Sequence, residues 1–538
     1  MLRRLASSPS GTLVAWLLAF VGGIAAHAFD ERVWGLPVWS WPGVSGGLAL
    51  TCFYLRRMAV GRLVAGGALL FVCALWRFDA AFPAAEPLEP PAPGSVEIIG
   101  TVSREPRILN DSAILDLDRV FICGRGAGGR RGSAALVGGM PKKGDPCRPL
   151  AGVLRLRSRA WPVFAFGDVL RSRCAPAAVA LGGGDPFDDQ AWLDGVRWRC
   201  TSREPVELAA HGEASFFRTA LYGLRSKIRA AVGRLLPEPE ASFLLGLLIG
   251  DRDGLPSDLV AGFRATGTSH ILAVSGYNVS RVAEVFLLLL AAVTVKRRRA
   301  AWLSVAGILV FAAIAGAEAS VIRAAAMGCT ALVAAAAGRR YSSAVALSLA
   351  AAAMLAFEPL LLRHDVGFQL SFAAVLGLHH LGAPLTERLR FLPEFLGIRR
   401  SAGETLGATL ATLPVIILAF GRVPLVGPVA NLLILPLIPW IMVLGVCSII
   451  FSAVLFPAGL VPAVAATWLL RAIEAIVGFL AKLPLALELQ TGAFGCSLIA
   501  GWLLLLWYAL ARAKPVVIWR PPLPQGIDVE VIEYDDQP

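Results

Sequence analysis

A chain of 538 residues that is 56% hydrophobic and only 16% charged, with a mean hydropathy of +0.67, carries too much apolar surface for one aqueous globule. The remaining solvent is lipid, so composition excludes a soluble protein and predicts an α-helical polytopic membrane protein. The formal charge of +12 suits a polyanionic partner, but Lys and Arg concentrated in cytoplasmic loops produce the same excess, and charge alone does not choose between them.

Residues 1–78 read as an N-terminal membrane unit. The first apolar run, 11–29, has no small-residue cleavage site before the next charges and is expected to be a retained helix. Segments 41–55 and 60–77 follow, and with the clusters around Arg3, Arg4, Arg56, Arg57 and Arg62 placed inside, residue 78 emerges outside.

From 95 to 205 hydropathy falls and alternation of period two takes over in VEIIGTVS, AILDLDRVFI, GVLRLRSR and GDVLRSRC. This predicts an extracytoplasmic β-rich insert after the third helix. It holds four of the nine cysteines, Cys123, Cys147, Cys174 and Cys200, and an even set outside the cytoplasm points to disulfides. Three pairings are possible; proximity in sequence favours Cys123 with Cys147 and Cys174 with Cys200, and zinc is the alternative. The loop GRGAGGRRGSAALVGGMPKKGD is a basic insertion, not a nucleotide-binding loop, since G-x-x-x-x-G-K-[ST] occurs nowhere in the chain.

Residues 215–236 alternate Phe217, Leu221, Leu224, Ile228 and Leu235 with Arg218, Arg225, Lys227, Arg229 and Arg234, the pattern of an interfacial amphipathic helix. Residues 237–512 form the main membrane domain. Spans are expected near 274–295, 301–318, 321–337, 343–361, 366–383, 402–420, 428–456, 462–481 and 494–511, about twelve with the first three. The segment 428–456 is long and contains Pro428, Pro436 and Pro439, so a broken or re-entrant element is expected. Residues 513–538 form a C-terminal tail.

Polar side chains inside a bilayer need a partner or water. His270, Ser275, Asn278 and Arg281 lie in SHILAVSGYNVSR; at about 100° per residue they share one sector of a single helix, whereas Leu272 and Val279 take the other side. Arg323, Asp365 and Gln369 are costly at membrane depth for the same reason, and Arg323 with Asp365 is a candidate buried ion pair, the alternative being that both snorkel to interfaces.

SHILAVSGYNV resembles the H-L-L-A-[IV]-S-G-[LFY]-[HN]-V signature of the ComEC family of inner-membrane channels that carry single-stranded DNA into competent bacteria. GDRDG, FRATG, GAEASVIRAAAM, HDVGFQLSFAAVLGL and FGRVPLVGPVANLLILPL resemble further patches of that family between about 240 and 440. The resemblance implies a DNA path lined by His270, Ser275, Asn278, Arg281, Asp251, Arg252, Arg264, Arg323, Asp365 and Gln369. Gly250, Gly267, Gly276, Gly367 and Asn431 take packing or turn roles. It implies an OB-like barrel in the insert, of a fold that holds single strands by a basic groove and stacked bases. Implied partners are single-stranded DNA, an extracytoplasmic DNA receptor, a cytosolic helicase-type ATPase, a possible separate nuclease and membrane lipids. The chain stops at IDVEVIEYDDQP, where many family members continue into a metallo-β-lactamase-like domain, so no nuclease activity is expected from it.

Only six histidines occur, and no metal-ligand spacing or cofactor motif can be assembled, so neither a metal nor a cofactor is expected. An intramembrane hydrolase using Ser275 and His270 is disfavoured, because five positions separate them by about 140° on a helix. Export of another polyanionic polymer or a lipid-linked glycan is the remaining alternative.

Overall fold

The computed structural model describes residues 9–29, 59–81 and, with short interruptions, 95–488. The segments 41–55 and 494–511 and the tail 513–538 lie outside the described residues. The protein is mostly helical, with a β domain and a short strand pair, Arg422–Pro424 with Ala486–Glu488, in the helical part, and is a polytopic membrane protein. Four described helices are long and apolar enough to cross a membrane: Ala319–Ala336, Val366–Arg388, Ile398–Phe420 and Phe456–Leu480. A fifth span arises if Gly427–Ile434 and Ile438–Val454, bent by 43°, count as one.

Helices α1 (Pro9–Phe29) and α2 (Ala59–Ala81) pack closely. Gly23 and Gly66 allow it, since a Cβ at either would overlap Phe71 and Ala74 or the Trp16 ring. Trp16 Nε1 donates to the Leu63 carbonyl at 3.1 Å, satisfying an indole that apolar surroundings would otherwise orphan.

The β domain is built from β1 (Val96–Val102), β2 (Arg107–Leu109), β3 (Ser112–Cys123), β4 (Leu136–Val137), β5 (Met140–Pro141) and β6 (Cys147–Leu150). It continues through β7 (Val153–Arg159), β8 (Asp168–Cys174), β9 (Ala177–Ala178), helix α3 (Pro186–Leu193), β10 (Val196–Thr201) and β11 (Glu207–His211). The main sheet runs β11-β8-β1-β3-β7-β10-β9. Its pairings are antiparallel except β7 with β10, which run parallel. Period-two alternation explains the core. Leu154 and Leu156 of β7 and Trp198 and Cys200 of β10 point inward onto Ile98, Leu115 and Leu117, while the intervening arginines point out.

Cys123 faces Cys147 in the β3–β6 register, and these two form one disulfide; Cys174 and Cys200 form the other. The separations of 24 and 26 residues close loops that cost the unfolded chain entropy, so Cys200→Ser should lower stability by about 2–4 kcal/mol. A thermal melt of the variant against the oxidised parent measures this; an unchanged midpoint would mean the bridge constrains nothing.

The β domain docks on the helical domain through α3. Trp192 and Leu193 pack against a cluster of Ile24, Phe78, Met354, Leu355 and Phe368. Buried His364 shares a 2.8 Å hydrogen bond with Asp189. The remaining helices are α4 (Phe216–Leu235), α5 (Glu240–Ile249), α6 (Ser257–Ala265), α7 (Gly276–Ala292), α8 (Arg297–Ile314) and α9 (Ala319–Ala336). After these come α10 (Ser343–Phe357), α11 (Leu361–His364), α12 (Val366–Arg388), α13 (Ile398–Phe420), α14 (Gly427–Ile434), α15 (Ile438–Val454) and α16 (Phe456–Leu480). Pro428 and Pro439 occupy the first turns of α14 and α15, where their missing N–H is harmless, and Pro436 lies in the bend between them.

Two further apolar clusters hold the helical domain. One gathers Phe243, Leu244 and Leu247 of α5 with Phe263, Ile434, Ile441, Leu470 and Ile473. The other gathers Val279, Ile308, Val321, Ala325 and Leu332 of α7, α8 and α9. Helices α12 and α13 approach most closely where Gly377 meets Gly407 and Gly403 meets Thr386.

Candidate functional site

Helix α5 is buried along its length, Glu240 and Ser242 included, and it ends where Gly250 adopts φ +73°, a left-handed cap. A Cβ at Gly250 would stand 2.8 Å from the Ala315 carbonyl oxygen, so the glycine supplies both conformation and clearance. The chain then enters GDRDG with Asp251 buried at 9% exposure.

Asp251 is not isolated. Its carboxylate accepts from Arg229 of α4 at 2.7 Å, and Arg229 also reaches Glu105 at 3.0 Å, in the turn between β1 and β2. Arg225 donates to Glu105 at 2.7 Å and to the carbonyls of Ile249 and Ile314. One network therefore joins the β domain, the amphipathic helix and the membrane domain. Next along the chain, Arg252 pairs with Glu318 at 2.8 Å, tying this loop to the start of α9. Arg264 on α6 is exposed.

Burial, and next the negative charge of Asp251, push the Asp253 carboxyl up to about 6, against the pull of Arg107 and Arg229. A carboxyl raised in the fold stabilises most below its unfolded pKa of 3.8, and that contribution is lost as pH climbs to about 6. Asp253→Asn should therefore raise the melting temperature at pH 8, on the order of 2 °C, and make no difference at pH 3.5. Parallel melts of both proteins across that range measure it; a pH-independent difference would remove the ionisation as its cause.

The single helix expected over His270 to Arg281 is not formed. Ser269–Ile271 is a 3₁₀ turn, and α7 begins only at Gly276, so the wheel that grouped His270 and Ser275 with Asn278 does not apply. The reason lies in the preceding loop. Thr266 and Thr268 are fully buried with their hydroxyls 2.7 Å apart, and Gly267, at φ +70°, sits where a Cβ would strike Pro424. These contacts turn the backbone before an α-helix can start. His270 is exposed, and Ser275 lies outside the described residues.

Asn278, expected on a wet face, is 2% exposed, and its side-chain amide donates to the Leu247 carbonyl at 3.4 Å. Val279 and Leu272 are buried in the two helical cores. Arg281 pairs with Glu284 one turn along at 2.6 Å.

The expected ion pair of Arg323 with Asp365 is absent among the described residues. Arg323, at 7% exposure, donates through Nη1 to the Ser371 carbonyl of α12. Gly276 at the start of α7 makes room for it, since a Cβ there would stand 2.7 Å from Arg323 Nη2. The guanidinium thus bridges α7, α9 and α12, and no carboxylate among the described residues pairs with it. Asp365 instead caps α12, accepting from the Phe368 N–H at 2.8 Å, and Gly367 gives that carboxylate clearance. Gln369 donates to the Leu362 and Arg363 carbonyls at 2.9 and 3.0 Å, satisfying the end of α11. Asn431 of α14 is buried, and its Oδ1 has no hydrogen-bond partner among the described residues.

The site thus brings Asp251 together with Glu105, Arg225 and Arg229, and Gly276 with Arg323. It does not bring Arg323 to Asp365. Glu105, Glu318 and Ser371 escape a reading of the sequence because their partners lie 124, 66 and 48 residues away, and no local pattern reports such pairings.

The model of the competence protein family matches residues 247–515, half of the chain. The chain belongs to this family. The matched stretch takes in the Asp251 loop, Gly276, Arg323 and the α12 to α16 bundle. The ComE operon protein 3 of Bacillus subtilis (strain 168) is 26% identical over 265 residues, 48% of this chain. The alignment covers 32% of that relative, so the chain spans about a third of its length. No solved structure matches the chain.

Proposed function

We propose that this competence-family protein is the inner-membrane channel through which single-stranded DNA enters the bacterial cell in natural transformation, with about twelve spans and no nuclease activity of its own. One observation carries the reading. Arg323 is a buried cation with no carboxylate partner among the described residues, held where three helices bearing family patches meet. A charge left without a counter-ion inside a membrane domain is costly unless the substrate brings the opposite charge, and a phosphodiester strand does so. In this reading Arg281, Arg252 and Arg264 flank the path, and His270 lies in the 3₁₀ turn before it.

The same reading puts the β domain outside the cytoplasm, in keeping with its disulfides. The strand order β8-β1-β3-β7-β10, five strands with the last pair parallel, supports an OB-like barrel. An external DNA receptor delivers the substrate, a cytosolic helicase-type ATPase drives it, and a separate nuclease removes the second strand.

The test is import of a labelled linear fragment into a deletion strain carrying either the wild-type gene or Arg323→Gln. Deletion should abolish import, and the variant should lose about tenfold or more at equal membrane abundance. Normal import by the deletion strain would overturn the proposal, and loss of a surface glycan in its place would favour the export alternative. Purified chain that cuts linear DNA with Mg²⁺, Mn²⁺ or Zn²⁺ would overturn the non-nuclease part.

A further inference from the structure

Besides exposed Arg119, Arg148 and Arg173, the arginines of the β domain include two groups that differ in their partners. Arg104, Arg155, Arg171 and Arg199 are spent on carboxylates: Asp116 and Asp194 for the first two, Glu97 and Asp188 for the others. Arg107, Arg157, Arg159 and Arg203 are exposed and make no ion pair among the described residues.

Strand register gathers this second group on one patch. Arg107 pairs across β2–β3 with Ile114, Ile114 pairs across β3–β7 with Arg157, and Arg157 lies beside Thr201 in the parallel β7–β10 pair. Directly paired residues of neighbouring strands share a face, so the row Arg107, Ile114, Arg157, Thr201 crosses four strands about 4.8 Å apart. Arg159 extends it by about 6.6 Å along β7, and Arg203 follows the end of β10, where the Ser202 N–H donates to the Arg157 carbonyl. Arg107 also lies within electrostatic reach of Asp253, so the patch leads to the Asp251 loop of the membrane domain.

Among the described residues, the aromatic side chains of the domain offer no platform for stacked bases. Trp198 and Phe164 belong to the domain core, Phe166 packs on Tyr222 of α4 at 4.9 Å, and Trp192 lies under the Arg197 guanidinium at 3.6 Å. None of the described aromatic side chains of the domain is exposed.

We propose that Arg107, Arg157, Arg159 and Arg203 hold the incoming strand by its phosphodiester backbone alone, without stacking its bases, and hand it to the Asp251 loop. This rests on the DNA-import reading and adds the mode of capture to it. A backbone contact is indifferent to base identity and steeply salt-dependent, whereas a stacking site keeps affinity at high salt and requires bases.

The test uses the full chain in nanodiscs of zwitterionic lipid and two labelled probes of about 30 units, oligodeoxythymidine and its abasic deoxyribose-phosphate counterpart. The abasic probe should bind within about threefold of the thymidine probe. Arg157→Gln/Arg159→Gln should weaken both about tenfold and flatten the slope of log K against log salt by about 1.4, because each of the two phosphates left un-neutralised removes about 0.7 from it. Mass analysis of intact disulfides and an unchanged melt establish that the double variant is folded. Loss of the abasic probe by tenfold or more would mean bases are read and would overturn the proposal. So would unchanged DNA binding by the double variant, including the case where its association with anionic vesicles falls and the patch is a lipid contact. If the wild type imports DNA yet the double variant binds normally, only the capture mode fails; if the wild type neither binds nor imports, the DNA-import reading fails with it.

Discussion

Gly377→Leu should leave little folded protein in the membrane. Helices α12 and α13 meet over much of their length, and at their closest approach a Cβ on Gly377 would overlap the Gly407 carbonyl oxygen and the Ala411 methyl. Backbone on the opposing side cannot move without displacing a whole helix, so the clash is not relieved by a rotamer change. In a bilayer the two helices have no hydrophobic driving force to compensate, because lipid chains solvate an apolar surface as well as a helix does; close packing is what holds the pair. Overpacking of this kind costs about 3 kcal/mol or more. Gly478→Ala serves as the control, since a Cβ at that position meets nothing within 4 Å. The measurement is the monodisperse yield after mild detergent extraction, with a melt of whatever is recovered. Gly377→Leu at wild-type yield and midpoint would show that α12 and α13 do not pack as described.

Asp251→Leu should be the most damaging single change in the charged network. It leaves Arg229 without its closest carboxylate and removes the acceptor used by the Asp253 N–H. Breaking a buried pair from one side typically costs about 3–5 kcal/mol, and because the Arg229 side chain is 41% exposed, about 1–3 kcal/mol is the expected loss. Glu105 remains beside Arg229 and limits the damage. A double-mutant cycle with Arg229→Met separates the pair from its surroundings: the double variant should be less destabilised than the sum of the singles. Strict additivity would mean the contact contributes nothing. Because Glu105 belongs to the β domain, the single variant should also speed proteolysis of the junction between that domain and α4, which Gly377→Leu does not specifically predict.

The amino-acid sequence by itself determined the class of protein, the β insert, the amphipathic helix and the break at the prolines. These follow from local quantities: mean hydropathy, a period of two or 3.6, and residues that cannot donate or that bend the chain. The disulfide pairing observed is the one favoured by proximity: β3 pairs with β6 and sets Cys123 opposite Cys147, and Cys174 bonds Cys200, 26 residues on. The family patches were legible for the same reason, each being a short contiguous run.

Tertiary structure alone decided how those runs are used. A helical wheel assumes a helix, and the buried threonines with Gly267 against Pro424 stop one from forming before Gly276, which separates His270 from Asn278. Asn278 is buried against a carbonyl of α5 and does not face water. Arg323 and Asp365 are opposite charges within one motif set, yet each finds a nearer partner: a helix N-terminus for the acid, a carbonyl oxygen for the base. Partner choice for buried polar groups depends on which donor or acceptor lies within about 3 Å, and that distance is fixed by packing of segments far apart in the chain.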